Sequence, residues 1–360
     1  MLQLTEIQNR LADYLGTPLL SLKVLASGWE TTVFEFATAS NSPRLPLMPS
    51  RTPLVLRFYQ GTFADPKGVR EHFTIAKLSE VGFNVPRPYA YEPDHAALGA
   101  PFLIMERLPG GPLFATRSFA SAFKTFSLGF FSFVRAQTRL HKMELRKSGL
   151  DQIPRAYLPE GLDSGAPLLD RMLKIIEQRV EQGPLPGLKD AHTRLAARAA
   201  QFRSAPLSLV HMDYHPQNVL VQGLRVTGVI DWVNTDIGDR HLDAAMTAAI
   251  LSSSALEHPR WMRDNPAGNS LRTLFTSLYI PLYHAMAPLD FERFRYCQAV
   301  ASLLRLSMLG MMRTRGAEVV GFRPEAIEEV TPAVVRLLSR YAAHKSGTAV
   351  RLDQPKPLAV

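Results

Sequence analysis

The chain has 360 residues, of which 46% are hydrophobic and 20% charged, a composition typical of a globular protein rather than a disordered one. No run of about 18 uninterrupted apolar residues occurs, so no membrane span is expected, and a single cysteine, Cys297, excludes an internal disulfide. The formal net charge is +9, but the basic residues are scattered, which favours a solvated basic surface over a nucleic-acid partner.

The first twenty residues predict an amphipathic helix with Leu4, Ile7, Leu11 and Leu15 on one face. The segment lacks the basic start and apolar centre of a signal peptide. Together with the single cysteine, this predicts a cytoplasmic protein.

The next part of the chain is rich in predicted strands. The expected elements are, in chain order, strands at Leu20–Ala26 and Thr32–Ala37 around a turn at Ser27–Glu30, a proline-rich loop at 38–53, a strand in "LVLRFY", a helix over 65–83, and strands in "VPRPYAYEP" and "APFLIMERL". This pattern predicts a small lobe, residues 1–108, built on a sheet with one further helix.

After Pro112 the spacing of apolar residues becomes helical. Helices are predicted in "SFASAFKTFSLGFFSFVRAQTRLHKMEL", "LLDRMLKIIEQRVEQ" and "KDAHTRLAARAAQF", from Leu242 onward, and from Asp290 to about Arg315. The sequence therefore predicts an α+β fold: a small antiparallel-sheet lobe, then a larger helical lobe over 109–345. Residues 346–360 are predicted to form a disordered tail.

A polar segment, "VHMDYHPQNVLV", interrupts the helical part. Its His211, Asp213 and Asn218 have the spacing His-x-Asp-x-x-x-x-Asn of a protein-kinase catalytic loop. Thirteen residues after Asn218, Asp231 follows the apolar run "VTGVI". A kinase needs one carboxylate to accept or orient the hydroxyl proton, and amide and carboxylate oxygens to hold Mg²⁺ between the phosphates of ATP. Asp213 is the candidate base, and Asn218 and Asp231 are the candidate metal ligands.

The turn between the first two strands is a candidate phosphate site. Its backbone N–H groups from Ser27 through Gly28 to Thr31 are expected to face the phosphates of a nucleotide. A turn with one glycine is common, so this prediction depends on the other kinase-like segments that follow it in order.

Two further segments in the small lobe fit the same interpretation. Arg57 stands where the third strand of a kinase carries a phosphate-binding lysine, and Glu71 in the following helix is expected to pair with it. "LIMERL" is similar to a kinase hinge, where the carbonyl of Glu106 and the N–H of Leu108 would bind adenine.

The sequence resembles the aminoglycoside phosphotransferase and choline kinase-like family of small-molecule kinases, which have a protein-kinase-like fold. The resemblance extends from about Leu22 to Ile250 and is most specific in "VHMDYHPQNVLV" and "GVIDWVNTDIGDRHLDAA". It implies that ATP and Mg²⁺ are bound, that Asp213 is the catalytic base and that Asn218 and Asp231 hold the metal. It also implies that Asp239 and Asp243 brace the loop.

Three features depart from the family pattern. The nucleotide turn has one glycine rather than a Gly-x-Gly-x-x-Gly motif. Arg57 replaces lysine, which keeps the charge but changes its reach and geometry. Trp232 follows Asp231, so a mobile activation switch is not expected.

Two other functions are compatible with parts of the sequence. His211 and His215 are four residues apart and would bind zinc in a hydrolase if they lay on a helix, but Pro216 disfavours a helix there. A catalytically silent nucleotide-binding protein of the same fold is the other alternative.

The sequence does not identify the phosphoryl acceptor or the oligomeric state. Acidic residues are sparse after Asp243 and are accompanied by arginines, and the whole chain is basic. We therefore expect a small hydroxyl compound that is neutral, apolar-bodied or anionic rather than a polycationic aminoglycoside.

Overall fold

The computed structural model describes residues 3–114, 119–155, 165–253 and 266–352, with the backbone alone for 119–128, 253, 266–269 and 271. An antiparallel sheet dominates the N-terminal part and helices dominate the rest. The predicted α+β class with two lobes is thereby confirmed.

The small lobe contains a five-stranded antiparallel sheet in the order β1-β2-β3-β5-β4. Its strands are β1 (Leu19–Ser27), β2 (Thr31–Thr38), β3 (Leu54–Tyr59), β4 (Pro88–Glu92) and β5 (Phe102–Glu106), and its helices are α1 (Leu4–Leu15), α2 (Ala64–Glu80) and the short α3 (His95–Leu98). The register sets Leu54 opposite Glu106 and Phe58 opposite Phe102. The turn between β1 and β2 therefore lies at the end of the sheet away from Glu106.

The helix α1 covers the outer face of this sheet. Ile7, Leu11 and Leu15 are buried in a cluster with strand residues such as Leu56, as the amphipathic pattern predicted. Leu4, which the pattern placed on the same face, is 43% exposed.

Strand β3 is buried on both sides, which explains why its residues are apolar apart from Arg57. Leu56 and Phe58 belong to the cluster beneath α1, whereas Val55 and Tyr59 belong to the core that continues into the larger lobe. Because side chains alternate along a strand, Arg57 lies on the same side as Val55 and Tyr59. The alternation thus brings a buried cation to the side of the sheet that faces α2 and the larger lobe.

The larger lobe consists of helices and two small sheets, β6-β8-β9 and β10-β7. Its strands are β6 (Gly111–Pro112), β7 (Leu207–Val210), β8 (Val219–Gln222), β9 (Arg225–Val229) and β10 (Asp236–Asp239), and its helices are α4 (Phe119–His141), α5 (Leu168–Gln182), α6 (Lys189–Arg198), α7 (Arg240–Ser253), α8 (Pro266–Met286), α9 (Phe291–Arg315) and α10 (Pro332–Ser346). Within the described residues, no helix is long and apolar enough to cross a membrane.

The end of the chain differs in part from the predicted tail. The helix α10 runs to Ser346, Val350 is 6% exposed, and the N–H of Arg351 donates to the carbonyl of Gly187 at 3.3 Å. Residues up to Leu352 therefore pack against the larger lobe, and the rest of the predicted tail lies outside the described residues.

Candidate active site

The segment 211–218 forms the loop between β7 and β8. The N–H of Leu113 donates to the carbonyls of Pro216 and Val219, at 2.9 and 3.0 Å, and so fixes the far end of the loop. Met212 has a φ of 63°, in the left-handed region that is uncommon for a residue with a side chain. Its N–H donates to Asp243 Oδ1 at 2.6 Å, a contact that holds this conformation.

Asp243 is completely buried and braces the loop from α7. Its Oδ2 contacts His141 Nε2 at 2.8 Å and accepts from Gln137 Nε2 at 3.0 Å. Burial acts to raise the pKa of Asp243, but the bond from His141 and the other partners outweigh it and hold the pKa below its usual value. The structure thus places this carboxylate where the family resemblance implies a structural role.

Asp213 lies in the loop with its side chain 25% exposed. Asn218 Nδ2 donates to the Asp213 carbonyl at 3.0 Å and to Oδ2 at 3.3 Å, and His215 Nε2 lies 3.6 Å from Oδ2. Burial acts to raise the pKa of Asp213, but His215 and, more weakly, Arg305 lower it to about 2. The carboxylate is therefore ionised at neutral pH.

His211 ties the loop to the end of β9. The N–H of Asp213 donates to His211 Nδ1 at 3.3 Å, so Nε2 carries the proton that reaches the Ile230 carbonyl at 3.1 Å. Burial lowers the pKa of His211, which keeps the ring neutral.

The zinc alternative does not fit this arrangement. Both ring nitrogens of His211 are engaged by backbone groups, and residues 211–215 are not helical. Across the part of the chain that the structure describes, no cluster of three or more His, Cys, Asp or Glu side chains could hold a metal.

Asp231 follows β9 with a φ of 68° and a side chain that is 30% exposed. A left-handed conformation at a non-glycine residue costs about 1–3 kcal/mol and is concentrated at functional sites. Asp231 Oδ1 accepts from the Arg57 guanidinium at 2.6 Å. The strand end therefore directs this carboxylate toward the small lobe.

Arg57 also pairs with Glu71, as the sequence predicted. Arg57 Nε lies 3.1 Å from Glu71 Oε2, and the Tyr59 hydroxyl donates to the same oxygen at 2.7 Å. Burial acts to lower the pKa of Arg57, but Asp231 and Glu71 raise it, so the guanidinium stays charged. One cation thus joins β3, α2 and Asp231.

The helix α2 is also fixed to the segment after Asp231. The N–H of the fully buried Trp232 donates to Glu71 Oε1 at 3.0 Å, and Arg70 donates to the carbonyl of Val233 at 2.9 Å. These contacts fix the helix against the segment that follows Asp231.

The turn between β1 and β2 contains the predicted phosphate-site residues. Ser27 and Gly28 are exposed, whereas Thr31 is buried at the start of β2. The N–H of Gly28 already donates to the carbonyl of Thr31 at 2.9 Å, so this group is engaged within the turn. Glu30 pairs with Lys67 of α2 at 2.6 Å.

The segment after β5 connects the lobes. The N–H of Glu106 donates to the Arg87 carbonyl at 2.9 Å, and the Leu108 carbonyl accepts from Arg107 at 2.6 Å. Thr227 donates to the Pro109 carbonyl at 2.7 Å, which ties the connection to β9. Glu106 and Leu108 therefore lie at the junction of the lobes, and their contact with adenine stays a prediction.

Arg305 is a residue near the site that the sequence analysis did not select. It lies on α9, is 8% exposed, and its guanidinium is 3.9 Å from Asp213 Oδ1. The available signal was its position as the only charge in the apolar stretch "AVASLLRLSMLGMM". His215, beside Asp213 and Asn218, was noted but was not assigned a role.

Comparisons with known proteins identify the family and the fold. The sequence profile of APH, the phosphotransferase enzyme family, matches residues 21–289. No curated protein matches the sequence.

Solved structures are similar in fold at low sequence identity. A provisionally assigned aminoglycoside phosphotransferase from Ralstonia eutropha has a TM-score of 0.62 at 16% identity, covering 94% of this chain and 98% of its own. The aminoglycoside phosphotransferase APH(4)-Ia, in a ternary complex with AMP-PNP and hygromycin B, has a TM-score of 0.60 at 16% identity and covers 92% and 98%. APH(3'')-Id from Streptomyces rimosus has a TM-score of 0.52 at 18% identity and covers 84% and 99%.

Proposed function

Because the chain belongs to the APH phosphotransferase enzyme family, we propose that it transfers the γ-phosphoryl group of ATP to a hydroxyl group of a small molecule, with Mg²⁺ as cofactor. The observation that supports this most strongly is that separate segments meet: the N–H of Ile230, the residue before Asp231, donates to the Asn218 carbonyl at 2.9 Å. The loop of Asp213 and Asn218, the left-handed Asp231, and the Arg57–Glu71 ion pair come from four different elements.

Asp213 is the proposed residue that receives the acceptor hydroxyl. A carboxylate with a pKa of about 2 is a weak base toward a free alcohol. It acts mainly by accepting the hydroxyl hydrogen bond and orienting the oxygen, and it takes the proton as the oxygen–phosphorus bond forms.

Asn218 and Asp231 have the chemistry that a Mg²⁺ site requires. Magnesium prefers oxygen ligands and completes its shell with phosphate oxygens and water, so two protein ligands suffice. The carboxylate of Asp231 is partly exposed and could bind the metal. The side-chain NH₂ of Asn218 donates to Asp213, so the amide oxygen of Asn218 is the atom that could bind the metal. The bound cation would neutralise phosphate charge.

Arg57 is the proposed phosphate contact of the small lobe. It is buried, charged and held by Glu71, so its orientation is set before the nucleotide arrives. Its hydrogen bond to Asp231 keeps the guanidinium next to this proposed metal ligand. Glu106 and Leu108 would contact adenine, and the turn of Ser27 to Thr31 would lie over the phosphates.

The charge around Asp213 supports a neutral or anionic acceptor. The guanidinium of Arg305 lies 3.9 Å from the carboxylate, so a cationic acceptor bound at Asp213 would come close to this like charge and be repelled by it. Several carboxylates are needed to hold a polycation, because each exposed pair contributes only about 0–1 kcal/mol. We therefore propose a neutral or acidic alcohol, although structural neighbours bind the aminoglycoside hygromycin B.

The direct test is ADP release from ATP and Mg²⁺ with a panel of lipophilic alcohols, hydroxy acids and aminoglycosides. We expect a neutral or acidic alcohol to stimulate release, EDTA to abolish the stimulation, and Asp213→Asn to reduce it by about 10²-fold or more. ATP binding without transfer to any acceptor would indicate a silent nucleotide-binding protein. Efficient phosphorylation of an aminoglycoside would overturn the acceptor class but not the reaction.

A further inference from the structure

The turn that carries Gly28, Trp29 and Glu30 is held by the opposite lobe. A segment of the larger lobe, Gly321–Arg323, reaches it after α9 has ended. The N–H of Arg323 donates to the Trp29 carbonyl at 2.8 Å, and the Arg323 guanidinium donates to the Gly28 carbonyl. The chain thus joins its lobes a second time, at the end of the sheet away from Glu106.

Aromatic and ionic contacts surround these hydrogen bonds. The rings of Trp29 and Phe322 lie 5.1 Å apart between centroids. Lys67 lies 5.9 Å from the Phe322 ring centroid and pairs with Glu30 at 2.6 Å. The turn, the first turns of α2 and the 321–323 segment therefore form one contact network, which we call the clasp.

Two glycines allow the lobes to approach at the clasp. Gly61 and Gly321 have φ values of 82° and 83°, which side chains disfavour. A Cβ atom on Gly61 would lie 2.8 Å from the Gly321 carbonyl oxygen, and one on Gly321 would lie 2.6 Å from the Phe63 ring. Backbone from each lobe thus comes into direct contact.

The hydrogen bonds that Arg323 donates fix the orientation of two peptide groups in the turn. In a planar trans peptide, the N–H points opposite to the C=O of the preceding residue. Since the carbonyls of Gly28 and Trp29 face Arg323, the N–H groups of Trp29 and Glu30 face away from it. In a nucleotide turn, such N–H groups are the donors that bind phosphate.

We propose that Arg323 and Phe322 are positioning residues that fix the nucleotide turn from the opposite lobe, so that the N–H groups of Trp29 and Glu30 are directed to the phosphates of ATP. The single glycine of this turn fits the proposal, because a turn held from outside does not need several glycines to adapt to the phosphates. The inference rests on the proposed nucleotide binding.

The experiment compares the affinities of ATP and adenosine for the full-length protein. Isothermal titration calorimetry is performed on the wild type, Arg323→Ala, Arg323→Lys and Phe322→Ala, and melting curves show that each variant is folded. The matched control is Arg340→Ala, which removes an exposed arginine from α10 of the same lobe. Adenosine reports on the base site alone, whereas ATP also reports on the phosphate site.

We expect Arg323→Ala to weaken ATP binding about tenfold, the scale of one charge-assisted hydrogen bond, and to leave adenosine binding unchanged. Arg323→Lys should lie between the wild type and alanine, and Phe322→Ala should act in the same direction. Unchanged ATP affinity in folded variants, or equal losses for ATP and adenosine, would overturn the positioning role. If the wild type itself does not bind ATP, the proposed function fails, and the inference fails with it.

Discussion

The catalytic loop and the nucleotide turn are held in place by different kinds of contact. The loop of Met212 and Asp213 is braced within its own lobe, by Asp243 and by the backbone near Ile230. The turn is held by Arg323, which is 295 positions away from Gly28 in the sequence. A catalytic loop that is held by contacts within its own lobe can be recognised from a motif in the sequence. A turn that is held by a residue far along the chain carries no such motif.

The carboxylates of the two regions also differ in how far their partners offset the effect of burial on the pKa. Burial acts to raise the pKa of Asp243, but His141 and Gln137 donate to it and hold the pKa down. Burial raises the pKa of Glu30, and the single cation Lys67 only partly opposes it. The negative charge of Asp243 is therefore well stabilised by its hydrogen bonds, whereas that of Glu30 is stabilised only in part by Lys67.

The largest expected effect comes from removing the brace of the catalytic loop. Asp243→Ala should lower the free energy of unfolding by about 3–5 kcal/mol, because a fully buried carboxylate and its hydrogen bonds to Met212, His141 and Gln137 are lost. Urea denaturation measures the change, with Asp190→Ala on the exposed side of α6 as the control. A cost equal to that of the control would show that the loop does not depend on Asp243.

Much of this local frame could be predicted from the sequence. The order of strands and helices follows from short-range patterns, whereas the Arg57–Glu71 pair and the bracing role of Asp243 were implied by the resemblance to kinases and to the phosphotransferase family. Arg305 was not predicted as part of the site, because nothing in the sequence around it indicates that α9 passes beside Asp213.

The clasp could not be predicted for the same reason. Phe322 and Arg323 lie in an irregular segment with no periodicity, and their role depends on tertiary contacts with Trp29 and Gly28. The segment carries no motif, so only the folded chain shows where it lies. The prediction that Gly28 offers its N–H to phosphate missed a local hydrogen bond, because that group donates to the carbonyl of Thr31 within the same turn.

The next effect in size concerns Asp231, which pairs with Arg57 of the small lobe. Asp231→Asn should lower the rate of phosphoryl transfer by about 10²-fold or more, the scale of losing one electrostatic stabiliser. ADP release, with water as the acceptor if no alcohol is yet identified, measures it. A rate close to that of the wild type in a folded variant would contradict the metal-ligand role.

A smaller effect is expected at Arg57. Arg57→Ala should weaken ATP binding about tenfold, and Arg57→Lys should weaken it less, because lysine still supplies a point charge to phosphate. Glu71→Ala should act in the same direction by releasing the arginine. Calorimetric titration with ATP gives all three values, and equal, negligible changes would mean that Arg57 does not face the nucleotide.

The smallest effect is a difference in pH dependence between the two regions. The lowered pKa of Asp243 contributes stability that is present above its unfolded pKa and is lost as the pH falls through its folded pKa. The raised pKa of Glu30 has the opposite sign: its contribution is present at low pH and is lost as the pH rises through the folded pKa.

The unfolding free energy of Asp243→Asn should therefore fall less steeply in acid than that of the wild type. Glu30→Gln should instead remove a decline that occurs above the usual pKa of glutamate. Parallel urea titrations across the acid range test both signs, and identical pH slopes in all three proteins would show that neither carboxylate is perturbed.

The most direct test of the central claim is Asp213→Asn, measured for phosphoryl transfer and for ATP affinity in the same preparation. The side chain keeps its size and its place beside Asn218, but it loses the charge that orients the acceptor hydroxyl. We predict that transfer falls by about 10²-fold or more while the ATP dissociation constant stays close to that of the wild type. Preserved transfer with a collapse of ATP binding would show that Asp213 holds the nucleotide and is not the base.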